Sequence, residues 1–143
     1  MLYDALEINR ESIVKPHQTH TDCIKNVDNN FQKTSKEYLE NVDGLLTSKP
    51  DTDLVLSFAD CTPILLCDPI KNVIGNIHSG WRGTAQKIGQ KAVQKMISDY
   101  GSKPEDIIAC IGPCIGKCHF EVDEDVKNIF VHFATKQTRG QQE

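Results

Sequence analysis

Three short stretches of the chain carry side chains able to do chemistry together. Pro16-His17-Gln18-Thr19-His20 sets two imidazoles three residues apart. On a strand, positions i and i+3 face opposite ways, so both meet one metal only in a turn or helix, and one of the two is expected to be functional. Ser57-Phe58-Ala59-Asp60-Cys61-Thr62-Pro63 breaks an apolar strand at Asp60-Cys61, aiming the Cys61 thiol out of a strand end, where ligands often bind. Asn76-Ile77-His78 then ends a strand and enters Ser79-Gly80-Trp81-Arg82-Gly83-Thr84, a Gly-rich turn that opens a helix. Backbone N–H groups from Gly80 to Gly83, with Arg82 beside them, suit an oxyanion or a phosphate.

His plus Cys plus His is a nitrogen and thiolate donor set suited to Zn²⁺, and three protein ligands leave the fourth tetrahedral position for water or substrate. The same residues serve a nucleophilic pair, Cys61 with His78 or His20 as base and Asp60 as an orienting or acidic group. Spacing leaves both open, because no CxxC or HExxH signature is present. The ordinary alternatives are a Cys that packs as a small hydrophobe and a strand-end His satisfied by the backbone. A fourth cluster, Cys110 to Val122, holds Cys110, Cys114, Cys118 and His119; its Gly-Pro and Ile-Gly pairs read as a tight active-site loop, with a structural zinc knuckle as the alternative.

The elements that must position these groups are legible in the apolar patterning. Leu54–Phe58, Pro63–Cys67, Val73–Ile77 and Ile107–Ile111 are short, rich in β-branched residues and bounded by Asp, Pro or Gly, which predicts buried strands. From Thr84 to Tyr100 the period becomes 3.6, with Ile88, Ala92, Met96 and Ala85, Val93, Ile97 on adjoining stripes and Gly101 as the stop, which predicts one helix. Ser102–Asp106 reads as a turn with a proline-led helical start, and Val122, Val126, Ile129, Phe130 and Phe133 predict a second amphipathic helix. The fold class is therefore α+β, mixed sheets flanked by helices. Asn26–Lys36 is the most loop-like interior stretch, and the tail from Thr135 to Glu143 is polar throughout.

The chain of 143 residues has room for one domain. Sixteen basic against 20 acidic residues, without like-charge runs, give no tract for nucleic acid or anionic membrane. No apolar stretch approaches the ~20 residues of a membrane span, and the N-terminus lacks the apolar core of a secretory signal. A reducing cytoplasm is the expected compartment, with the six cysteines free or metal-bound rather than in disulfides.

At these clusters the chain resembles the YfiH-type laccase-domain family, whose members have been called polyphenol oxidases and act as purine nucleoside phosphorylases. The resemblance runs from about Leu6 to about Phe133, leaving 134–143 unmatched. It rests on Gln18-Thr19-His20-Thr21, Asp43-Gly44-Leu45-Leu46-Thr47, Ala59-Asp60-Cys61-Thr62-Pro63-Ile64, His78-Ser79-Gly80-Trp81-Arg82-Gly83-Thr84 and Ile111-Gly112-Pro113-Cys114-Ile115-Gly116, followed by Phe120-Glu121-Val122. Five blocks in order make it specific.

The resemblance implies a catalytic zinc on His20, Cys61 and His78, with His20 rather than His17 as the ligand. It implies phosphorolysis of adenosine, inosine or guanosine to base and ribose 1-phosphate, with adenosine deamination in some members. Purine nucleoside and phosphate are then the partners, and Arg82 with the Gly80–Gly83 amides is the expected anion site. Copper oxidation fits less well, since a laccase needs several copper centres and the chain has five histidines. Family members usually extend further at both ends, with added N-terminal strands and a C-terminal segment near the active site.

Overall fold

The computed structural model describes residues 5, 6, 8–28 and 36–137, with the backbone alone for 36, 37 and 132–137. Most of the predicted Asn26–Lys36 loop, the Phe133 side chain and tail residues 138–143 lie outside that description.

The architecture is α+β, as the patterning predicts. Strands β1 (Ile13–Val14), β2 (Ile24–Asn26), β3 (Gly44–Thr47), β4 (Asp53–Leu54), β5 (Thr62–Asp68), β6 (Val73–Ser79) and β7 (Ile108–Ile111) combine with helices α1 (Trp81–Ala85), α2 (Ile88–Tyr100) and α3 (Glu124–Gln137). The main sheet runs β2-β3-β6-β5-β7, and β1 pairs with β4 in a second, two-stranded one. Only β2·β3 is parallel in the main sheet; its other pairings are antiparallel, so it is mixed.

Both faces of the sheet centre are covered. Leu45 and Leu46 are neighbours on β3 and point to opposite sides, as strand geometry requires. Leu46 joins Leu66, Val73 and Ile77 beneath Ile88, Ala92 and Met96 of α2. Leu45 packs with Val14, Val27, Val42 and Leu56 on the other side. The Ile88-Ala92-Met96 stripe predicted from the 3.6 period is thus the buried stripe of α2.

Four expectations are corrected. The helix predicted from Thr84 to Tyr100 is two helices, because Lys87 takes a left-handed φ of 60° between them. The Lys87 N–H closes onto the Thr84 carbonyl at 2.9 Å, a tight turn that the apolar stripe spans without losing phase. Gly101 does stop the helix, left-handed at φ 68°, with its N–H on Ile97.

The strand predicted over Leu54–Phe58 is ladder-paired only at Asp53–Leu54. Beyond it the Gln18 side-chain amide stands in for a neighbouring strand, accepting from the Ser57 N–H at 2.8 Å and donating to the Ser57 carbonyl at 2.9 Å. The last strand, predicted buried, is exposed along its whole length, since β7 is an edge strand paired only with β5 among the described residues. Val122 lies before α3 rather than within it, and is exposed. The proline-led turn at Pro104–Asp106 forms as predicted.

Candidate active site

The sheet register brings the chemistry-bearing segments to one end of β3, β6 and β5. Thr62 lies opposite Ser79 and Pro63 opposite His78, so Cys61, one residue before β5, arrives beside the end of β6. Gly44 pairs with Ile77, and the His78 N–H donates to the Asp43 carbonyl at 2.7 Å, which sets Asp43 beside His78. The third segment, Thr19-His20-Thr21, reaches the same place through a loop.

Asp43 is what holds that loop. Its fully buried carboxylate accepts from the N–H groups of Thr19 (3.3 Å), His20 (3.1 Å) and Thr21 (2.7 Å) and from the Thr21 hydroxyl (2.8 Å). It also lies 2.6 Å from His78 Nδ1. Burial alone would raise its pKa, but the hydrogen bonds from Thr21, His78 and Thr19 outweigh it and hold the carboxyl below its usual value. His20 bends back with a left-handed φ of 62°, a conformation costing a non-glycine residue on the order of 1 kcal/mol. The main-chain N–H groups of Thr19 and Thr21, together with that of His20 between them, are all anchored on Asp43 and hold the bend.

The donor atoms of His20, Cys61 and His78 all lie within 4.8 Å of one another. Among the described residues this is the one His, Cys, Asp or Glu group so arranged. The two imidazoles meet edge to face, with ring centres 4.9 Å apart, and Phe58 packs on His78 at 5.6 Å. Gly80 completes the cradle. A Cβ there would stand 2.8 Å from His20 Cδ2 and 3.3 Å from Cys61 Sγ, so any larger residue would crowd the converging side chains and force one of them to shift.

The donors and their setting fit one soft-to-borderline metal ion. Asp43 occupies His78 Nδ1 and leaves Nε2 free, an arrangement common to metal-binding histidines. Cys61 is pushed toward a higher pKa by burial first and then by the charges of Asp60 and Asp43, so its thiol favours the protonated form unless a cation stands nearby.

The other predicted residues fall as follows. His17 is exposed and paired with Glu40 at 2.6 Å, outside the His-Cys-His group. Asp60 has a left-handed φ of 72°, and its carbonyl accepts from the Ile115 N–H at 2.9 Å; the carboxylate on His78 is Asp43 instead. Gly83 is buried where a Cβ would meet the Thr21 carbonyl at 3.0 Å. Arg82 is exposed, its guanidinium stacked over Trp81 at 4.2 Å. The Cys110–Cys118 segment is tied to the Cys61 segment by Gly112 N–H to the Pro63 carbonyl and Ile115 N–H to the Asp60 carbonyl. Its cysteines and His119 form no metal-type group, although Cys118 Sγ and His119 Nδ1 are 3.0 Å apart.

Asp43 is the residue that residue-by-residue reading passed over. It opens the Asp43–Thr47 block, yet nothing in the type or spacing of one acid before a short strand marks it as the link between the His20 loop and His78 of β6.

Two cavities flank the His-Cys-His group. One, of about 400 Å³, is lined by Lys15, His17, Gln18, Phe58, His20 and His78. The other, of about 220 Å³, is lined by Cys61, Asp60, Trp81, Cys114, Phe120 and Phe130, among others.

Against known proteins, residues 1–143 match the family described as multi-copper polyphenol oxidoreductase laccase. A Bacillus subtilis (strain 168) protein named purine nucleoside phosphorylase YlmD is 36% identical over 127 residues, 86% of this chain and 46% of that protein. Adenosine deaminase RL5, from an unknown prokaryotic organism, is 32% identical over 134 residues, 90% of this chain and 51% of that one. The crystal structure of the hypothetical protein YfiH from Bacillus licheniformis superposes with a TM-score of 0.81 at 37% identity, over 90% of this chain and 49% of that chain. The chain spans about half the length of the curated relatives it matches.

Proposed function

This chain belongs to the multi-copper polyphenol oxidoreductase laccase family, and from that premise we propose that it cleaves purine nucleosides with phosphate at a zinc ion held by His20, Cys61 and His78. The observation that carries the proposal is the convergence of these three donors on one spot, with Asp43 fixing His78 from behind. Relatives named purine nucleoside phosphorylase supply the reaction class. A relative named adenosine deaminase supports removal of the adenosine amino group as a second activity.

Zinc bound there supplies a Lewis acid able to polarise a substrate oxygen or activate water. The chain's own residues do the rest. Asp43 holds His78 in one tautomer and keeps its Nε2 turned toward the site. Asp43 also holds the His20 turn, so one carboxylate fixes the placement of both imidazoles. Phosphate is anionic, and Arg82 with the amides from Gly80 to Gly83 is the anion-binding group we assign to it. Asp60, lining the smaller cavity beside Cys61, is a candidate to hold or deliver a proton to the departing base.

Zinc is preferred to copper because the donors form a single His-Cys-His group and the whole chain has five histidines. A Cys61 nucleophile is disfavoured, since burial and the neighbouring carboxylates push its thiol up rather than down. Six free cysteines fit action in a reducing cytoplasm, and no helix among the described residues is long and apolar enough to cross a membrane.

The second reading is a metal-binding protein that keeps the His-Cys-His group without turnover. Phosphate-dependent release of hypoxanthine from inosine, or adenine from adenosine, separates the two. We expect product that requires phosphate and disappears in Cys61→Ala. A folded, zinc-loaded chain with no product would contradict the phosphorylase and favour the second reading.

A further inference from the structure

The two cavities beside the His-Cys-His group differ in chemistry. The larger one presents the cation Lys15 and the polar side chains of His17 and Gln18. The smaller one is lined by the aromatic residues Trp81, Phe120 and Phe130 together with Cys61 and Asp60.

That aromatic wall is assembled from distant parts of the chain. Trp81 begins α1, directly after the glycine that lets the metal-type donors converge. Phe130 comes from α3, which packs against α1. Phe120 follows a loop whose N–H groups at Ile115 and Gly112 are pinned to the segment carrying Cys61, and its own N–H closes onto the Gly116 carbonyl at 3.2 Å. Phe120 remains 43% exposed, so its ring is accessible from solvent. At about 220 Å³ the cavity is below the range of about 300–1,000 Å³ typical of drug-sized ligands. It suits a flat bicyclic ring better than a whole nucleotide.

We infer that the Trp81-Phe120-Phe130 cavity is the nucleobase subsite, taking the purine against its aromatic side chains. The assignment rests on the nucleoside-cleavage reading above. Aromatic faces bind any flat base by stacking, and sequence-tolerant stacking of this kind is how proteins hold bases without reading every edge. Asp60, on the rim of the same cavity, is then the group placed to recognise a ring N–H of a purine. Within this reading Phe120 is a base-binding residue, because truncating it removes base contact without touching the metal-type donors.

Trp81 is the sole tryptophan of the chain, so its fluorescence reports on this cavity alone. The test titrates the intact chain with adenine or hypoxanthine and follows Trp81 emission, with a free tryptophan derivative correcting for absorption by the base. We expect saturable quenching, weakened at least tenfold in Phe120→Ala and restored in Phe120→Tyr, with circular dichroism unchanged. Absence of saturable quenching, or the same affinity in Phe120→Ala, overturns the subsite. Because no turnover is needed, quenching without nucleoside cleavage would keep the base subsite and count only against the phosphorylase. Cleavage without quenching would do the reverse.

Discussion

Asp43 Oδ1 lies 2.6 Å from His78 Nδ1, and the same carboxylate receives the main-chain N–H groups of the His20 turn. One buried acid therefore orients an imidazole from β6 and fixes the loop that carries the other imidazole. Removing its charge should act on the metal rather than on the fold alone. Asp43→Asn keeps an oxygen for the N–H donors but offers His78 an amide. We expect zinc affinity, measured by chelator competition, to fall about 10- to 100-fold, the range found for partners that orient metal ligands. Unchanged affinity would separate Asp43 from metal binding.

Gly80 tests the packing of the same site. A methyl group at this position would stand 2.8 Å from His20 and 3.3 Å from Cys61. Overpacking of this kind typically costs about 1–3 kcal/mol. Gly80→Ala should lower zinc affinity about tenfold or more while far-UV circular dichroism stays that of the parent, because the crowding falls on the ligands and not on the sheet.

How much of this could be read from the chain depends on length scale. β5, β6, the stripe of α2 and its Gly101 stop carry a period that a short window can detect. β1, β2 and β3, of two to four residues, carry none, although β3 is buried at every position. The break at Lys87 is invisible for the opposite reason: the apolar stripe continues through it. Cys61 and His78 stand out by type at strand ends, whereas spacing alone leaves His17 and His20 equal, and only the resemblance through Gln18-Thr19-His20-Thr21 favours His20. Asp43 itself shows no local signal, since its role exists only once three segments meet.

Core and edge positions of the same residue type should respond very differently. Ile77 is fully buried between β3, β5 and α2, while Ile111 on β7 is 74% exposed. Ile77→Ala is expected to cost about 2–5 kcal/mol, and Ile111→Ala less than about 0.5 kcal/mol. Urea denaturation of the two variants measures both, and equal losses would contradict the assignment of β7 as an exposed edge.

Acid sensitivity follows from Asp99. Its carboxylate takes hydrogen bonds from Lys95 (2.7 Å), Ser98 (2.6 Å) and Asn26 (2.7 Å), which hold its pKa at about 2. An unfolded aspartate titrates near 3.9. The contribution of Asp99 to stability is therefore complete above about pH 4 and lost as pH falls through about 2. The gap between the parent and Asp99→Asn in urea midpoint should be open at pH 5 and nearly closed at pH 2. The ion pair with Lys95 is partly exposed, so the gap will be modest and will shrink in salt.

The central claim is that His20, Cys61 and His78 share one metal ion, and the most direct measurement is metal content per chain by elemental analysis. The parent chain and single alanine variants at each of the three positions would be purified and loaded with zinc identically. The account predicts about one zinc per parent chain and a loss of tight binding in all three variants, with His17→Ala retaining it. One zinc retained by Cys61→Ala, or lost in His17→Ala, would contradict it.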